Sequence, residues 1–255
     1  MNVLQITFSP TGGTDKVAEI ITEAWGMSVE KIDLCNAETD FSSFSLEKGD
    51  IAVIAVPSYG GRVPRLAVQR ISDIHGNQIP CVIVCVYGNR AYEDTLIELK
   101  DVAEKSGFKV IAAIAAIAEH SIMHQYAAGR PDAKDENELK CFAKKIVDKM
   151  NANLTGLPVL QIPGNRPYKK AGGAGLVPKA NHDCTGCGLC AEQCPAQAIS
   201  KEKRKVTDSK KCITCMRCVA KCPQSARKVN GALVSVAALA IKKACSTRKG
   251  NELYS

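Results

Sequence analysis

Residues 3–14 read Val3-Leu4-Gln5-Ile6-Thr7-Phe8-Ser9-Pro10-Thr11-Gly12-Gly13-Thr14, a mostly apolar run that passes without a break into a loop of hydroxyls and glycines. An amphipathic segment, 14–25, follows directly. A strand that turns through such a loop into a helix presents hydroxyls and free backbone amides at the helix's positive end, which suits an anion. The loop carries no lysine after its glycines, as a P-loop requires, and no G-x-G-x-x-G. Hydroxyl-rich and lysine-free, it suits a terminal phosphate monoester; a plain capped helix start is the other reading of the same residues.

Outward from this loop the pattern alternates. A short strand near 28–33 and apolar runs at 51–56, 79–87 and 110–118 make four further predicted strands, and helical periodicity appears at 64–74, 92–106 and about 132–153. Five strands separated by helices predict an α/β fold with a five-stranded, doubly wound parallel sheet. The strands are nearly all apolar, as burial on both faces requires.

The chain has 255 residues, 45% of them hydrophobic, enough for a real core, and a disordered chain is excluded. The N-terminal residues do not pair a basic stretch with a long apolar run, and no segment reaches the roughly 18 apolar residues of a membrane span. The expectation is a cytoplasmic protein with no membrane association. Net charge is +8, unevenly spread: residues 165–255 hold 18 Lys or Arg against 5 Asp or Glu, and the residues before them 16 against 21. The change falls in 156–180, which holds four prolines and five glycines and reads as a linker. The expected organisation is an α/β domain over 1–155, the linker, a cysteine-rich domain over 181–230, and a C-terminal helix and tail over 231–255. Within the linker, KKAGGAG at 169–175 reads as flexible.

Eight of the 13 cysteines lie between residues 184 and 222, where C-T-G-C-G-L-C-A-E-Q-C-P recurs 28 residues later as C-I-T-C-M-R-C-V-A-K-C-P. Each half is C-x2-C-x2-C-x3-C-P. Three thiolates at this spacing converge from one tight loop, and Gly186 and Gly188 ease the first of the two. Structural zinc also uses C-x2-C pairs, but usually as two pairs across a longer loop. The repeat resembles the bacterial two-4Fe-4S ferredoxins, in which the fourth cysteine of each run ligates the other cluster. The resemblance implies that Cys184, Cys187, Cys190 and Cys222 hold one low-potential cluster, and that Cys212, Cys215, Cys218 and Cys194 hold the second. Cys35, Cys81, Cys85, Cys141 and Cys245 are scattered, and Cys81 and Cys85 read as small core hydrophobes. No disulfide is expected among them.

The N-terminal loop, followed by Ala18, resembles the S/T-x-T-G-x-T signature of the flavodoxins, and the resemblance implies FMN. In that family three loops at the carboxyl ends of the strands surround the cofactor. By position they are here Ser9 to Thr14, with Ser9, Thr11, Gly12, Gly13 and Thr14 as candidate contacts; Pro57 to Arg62, with Pro57, Ser58, Tyr59 and Gly60; and Tyr87 to Tyr92, with Tyr87, Gly88, Asn89 and Tyr92. Tyr59 is the candidate to cover one face of the flavin. Many flavodoxins use tryptophan there, but the single tryptophan, Trp25, ends the first helix and reads as a packing residue. Residues 119–121 continue the last strand toward the same face, which makes His120 a candidate proton donor; as a residue of a surface loop it has no such role. Pro131-Asp132 reads as a helix start.

The whole chain therefore resembles the fusion proteins of anaerobes in which a flavodoxin domain precedes a two-cluster ferredoxin domain. The implied role is electron transfer between FMN and the two clusters and on to a redox partner protein. The basic excess of the C-terminal half offsets the charge of the clusters and otherwise suits an acidic partner; nucleic acid is not expected. An iron–sulfur flavoprotein oxidoreductase acting on a small substrate is the alternative, so enzyme or carrier stays open. A third reading keeps the α/β domain as a flavin-free docking module. The sequence says nothing of oligomeric state.

Overall fold

The computed structural model describes residues 2–151, 160–172 and 175–255. In chain order its N-terminal elements are β1 (Val3–Thr7), α1 (Gly13–Glu23), β2 (Val29–Asp33), β3 (Ile51–Pro57), α2 (Arg65–Ser72), β4 (Pro80–Tyr87), α3 (Thr95–Lys105), β5 (Lys109–Ile117) and α4 (Ala133–Asn151). The strands lie in the order β2-β1-β3-β4-β5, all parallel. This is the flavodoxin-like doubly wound order, whose switch point lies between β1 and β3. The carboxyl ends of these two strands carry the first two predicted loops.

Both faces of the sheet are covered, which explains the uninterrupted apolar strands. Val3, Ile51, Val53, Val82, Val84 and Ile114 pack on one face with Val17 and Ile21 of α1 and Leu139 and Ile146 of α4. Leu4, Ile6, Ile54 and Ile83 pack on the other with Ala67 and Ile71 of α2 and Leu96 and Leu99 of α3. Trp25 donates its indole N–H to the Ala143 carbonyl at 3.0 Å, joining the end of α1 to α4.

The C-terminal part contributes β6 (Lys179–Ala180), α5 (Leu189–Glu192), α6 (Arg217–Ala220), β7 (Arg227–Lys228), α7 (Gly231–Cys245) and β8 (Glu252–Tyr254). β6 and β7 form a small antiparallel pair. β8 corrects the expected five strands to six: it pairs antiparallel with β5, Ala113 opposite Tyr254 and Ala115 opposite Glu252. A three-residue strand leaves no periodicity to read, and its effect is to cover an otherwise open edge.

Residues 156–159 and 173–174 of the predicted linker, and the predicted helical residues 152–153, lie outside the described residues. Residues 165–169 run tied along the start of α3. Asp94 accepts from the Asn165 and Lys169 amides at 2.9 and 2.7 Å, Arg166 pairs with Asp101, and the Lys169 ammonium meets Glu93 at 2.5 Å. Lys169, the first residue of 169–175, is thus held by acids that precede α3.

The cysteine-rich part sits against the sheet domain through arginines that reach carbonyls. Arg70 donates to Pro195 at 2.8 Å and Arg65 to Lys211 at 3.0 Å, while Arg217 lies 3.5 Å from both the Ser9 carbonyl and the Asp33 carboxylate. No helix among the described residues is long and apolar enough to cross a membrane.

Candidate functional site

The loop 9–14 is shaped by two local features. Gly12, at φ 92°, turns the chain into α1, a conformation that a side chain would strain. Ser9, buried beneath the loop, accepts the Asp15 amide on its hydroxyl at 2.9 Å, leaving Thr11, Gly13 and Thr14 to face outward. Asp15 accepts from the Thr7 hydroxyl at 2.5 Å and so turns toward the sheet. Burial holds its carboxyl above the usual range, against the pull of the Thr7 and Ser9 hydroxyls.

Above the carboxyl ends of β1, β3, β4 and β5 opens a cavity of about 500 Å³, within the range of small-molecule and cofactor sites. Its floor is Pro10, Thr11, Gly13 and Thr14, Pro57 to Gly60, Tyr87 and Gly88. Its far wall is Ala118 to Met123. Gly88 is required by this closeness: a Cβ there would stand 2.7 Å from the Cβ of His120. His120 accepts the Ile122 and Met123 amides on Nδ1, both at 3.2 Å, which leaves Nε2 to carry the proton of the neutral ring. Burial pushes its pKa down and keeps it neutral.

Four of the predicted contacts are not in the lining. Ser9 lies under the loop and Gly12 serves the turn. Asn89 is buried and turned to the C-terminal segment, donating to the carbonyls of Cys245 and Thr247 at 3.0 and 2.9 Å. Tyr92 packs edge-on against Tyr87 and bonds Glu252 and Tyr254. Both side chains are claimed by the tail that follows α7, which loop spacing alone does not reveal.

The roof of the cavity is built from residues outside the three loops. Ala237, Ala240 and Ile241 of α7 cover the cavity together with Leu176, Lys169 and Lys170. Their signal was the helical spacing of 232–245, but not the surface it covers. Thr214, between two cysteines of the second loop, also lies on the cavity wall. Tyr59 stands between the two regions: burial, and then the nearby Cys215 and Cys35 thiols, push its pKa well above the usual tyrosine value.

The eight cysteines separate into two cages. Cys184, Cys187, Cys190 and Cys222 line one small cavity, and Cys194, Cys212, Cys215 and Cys218 line another, with the fourth cysteine of each run crossing to the other set. The two halves match in detail: the Ala198 amide points to Cys194 Sγ and the Ala226 amide to Cys222 Sγ, both at 3.3 Å. Burial pushes the thiols of Cys215 and Cys218 up to about 12. At Cys222 the amides of Ala226, Gln224 and Arg227 outweigh burial and lower it.

The residues fit an anionic cluster in each cage. Arg227, 1% exposed, lines the first cage with no hydrogen-bond partner at Nε, and the Nε of Arg217, on the wall of the second, is also unpartnered. Buried guanidinium nitrogens call for an acceptor, and sulfurs of a thiolate-held cluster supply one. Cys187 is exposed and Cys215 buried, so the first cage lies toward the surface and the second toward the cavity.

Fold and site together define a doubly wound α/β domain with flavodoxin-like strand order, followed by a ferredoxin-type two-cluster unit. Residues 183–227 match the family model of the 4Fe-4S dicluster domain, and this segment holds two 4Fe-4S clusters. Among solved structures, a flavodoxin of Streptococcus pneumoniae TIGR4 aligns with 58% of this chain and 99% of its own, at 20% identity and a TM-score of 0.43. An archaeal flavodoxin aligns over 59% and 99%, at 14% identity and a TM-score of 0.41. Rubredoxin:oxygen oxidoreductase from Desulfovibrio gigas aligns over 61% of this chain and 37% of its own, at 18% identity and a TM-score of 0.46. Comparison with curated proteins finds no match. The protein's role is in redox chemistry and electron transfer.

Proposed function

We propose that the cavity binds FMN and that the chain passes electrons between this flavin and the two clusters, and on to a redox partner protein. The observation that carries this reading is the shared wall: Thr214 belongs to the second cysteine loop and lines the cavity. FMN exchanges one or two electrons, whereas each cluster exchanges one, so the pair would connect one-electron with two-electron partners. Thr11, Thr14 and the amides at the start of α1 would hold the phosphate at a positive helix end. Tyr59 and Tyr87 offer aromatic surface for the ring, and α7 excludes water from above. The exposed run Lys201-Glu202-Lys203-Arg204-Lys205 lies beside the first cage, where Arg204 donates to the Gly186 carbonyl. It suits docking of an acidic electron carrier there. Thiolate cages of this kind fit the reducing cytoplasm of an anaerobe.

The test is anaerobic purification with iron, sulfide and FMN quantified, then stepwise reduction followed by absorbance and EPR. About eight irons and one FMN per chain are expected. Four irons or fewer in reconstituted protein, or no affinity for FMN, would overturn the reading. A second reading, an oxidoreductase for a small substrate, draws on the fixed Nε2–H of His120 on the cavity wall. A compound that perturbs the flavin spectrum under anaerobic titration would favour it.

A further inference from the structure

We infer that Arg227 is the counter-charge of the first cysteine cage, raises the reduction potential of the cluster held there, and makes the two halves of the repeat unequal. The inference rests on the cluster reading above.

The 28-residue offset that superimposes the cysteines also sets Ile199 against Arg227. Each follows the alanine whose amide points to the fourth cysteine of its run, and each lines the cage that cysteine enters. Both are buried, at 4% and 1% exposure. The repeat therefore places a guanidinium where its other half places a hydrocarbon, and packing alone gives no reason for that exchange.

A guanidinium taken out of water without a negative partner is costly, by several kcal/mol. Among the described residues no carboxylate stands within ion-pair distance of Arg227. Its Nη1 donates to the Thr207 hydroxyl at 2.6 Å and its Nη2 to the Arg204 carbonyl. Both acceptors are neutral: they orient the group without balancing it, and Nε has no acceptor at all. Arg217 of the second cage differs in having the Asp33 carboxylate 3.5 Å away, which takes up part of its charge. What balances Arg227 is the anionic cage itself. One-electron reduction adds a negative charge there without adding a ligand, so a fixed positive charge in a low-dielectric setting favours the reduced form.

The experiment is redox titration by EPR of the anaerobically reconstituted full chain as wild type, R227Q and R227K, with iron counted in each. Cys187→Ser, which alters the first cage alone, assigns the midpoints. In R227Q the first-cage midpoint is expected to fall by the equivalent of at least tenfold in the one-electron equilibrium constant, about 59 mV, and the second by less. R227K is expected to recover most of that loss. Loss of first-cage iron from R227Q but not from R227K would report the same need for charge. Unchanged midpoints in iron-replete R227Q, equal shifts in R227Q and R227K, or loss of iron from both would overturn the inference and leave Arg227 a structural residue. Four irons or fewer in the reconstituted wild type would instead sink the cluster reading.

Discussion

The Asn89 side chain, at the carboxyl end of β4, donates to the Cys245 carbonyl at 3.0 Å and to the Thr247 carbonyl at 2.9 Å, and accepts the Lys249 amide at 3.1 Å. One amide thus fastens the end of α7 to the sheet. Asn89→Ala removes the partner of three backbone groups, one of them at the buried Cys245, and is expected to destabilise the chain by about 1–3 kcal/mol. Hydrogen exchange should rise over residues 245–254 before the sheet itself opens. Equal protection of that segment in wild type and variant would contradict this role.

Asp135, fully buried, takes Arg130 in a two-pronged pair and also accepts from the Asp132 amide and the Asn251 side chain. Burial works against its charged form, but Arg130 and the Asp132 amide outweigh burial and hold the carboxyl below the usual range. A depressed folded pKa means that this stabilisation is present above the unfolded value of about 3.9 and is lost as pH falls through the folded one. Asp135→Asn is expected to cost about 3–5 kcal/mol at neutral pH. Urea melts at pH 7 and pH 3 should show the gap between wild type and variant closing at the lower pH.

Tyr59→Leu keeps an apolar side chain on the cavity wall but removes the ring. Aromatic stacking is worth about 0.5–1.5 kcal/mol, so FMN is expected to bind about three to ten times more weakly, with Tyr59→Phe close to wild type. Titration of flavin-free protein by the quenching of FMN fluorescence measures both. Equal affinity in Tyr59→Leu would place the flavin elsewhere in the cavity.

Cys187→Ser and Cys215→Ser each disable one cage, and iron is expected to fall to about four per chain in either. Their consequences differ, because the exposed Cys187 serves the outer cage and the buried Cys215 the one beside the cavity. Photoreduction of FMN itself should survive both. Reduction of the flavin by an external one-electron protein should be impaired more by Cys215→Ser, and the reverse ranking would make the first cage, not the second, the one that passes electrons to the flavin.

Much of this was legible in the residues. Most strands announced themselves because burial on two faces leaves no polar alternation, and the crossed cages were implied by the ferredoxin resemblance that the strict repeat carries. What escaped was long-range and carried by weak signals. The apolar spacing of α7 marked a helix but not the cavity it covers, and Glu252 to Tyr254 are too few to show a strand. Asn89 and Tyr92 sat correctly in a loop beside the cavity, yet their side chains answer to residues about 160 positions away. Arg227 was hidden by its own class, since a lysine- and arginine-rich segment reads as solvated surface until one member proves to be buried.

The helical part of the roof, α7, comes from residues 231–245, downstream of the five parallel strands, the loop 9–14 and all eight cysteines. An emerging chain can therefore complete the open floor and both cages before this helix exists to cover them. Connectivity thus lets floor and cages form ahead of their helical cover, and β8, by joining the edge of β5, fastens the covering segment to the sheet.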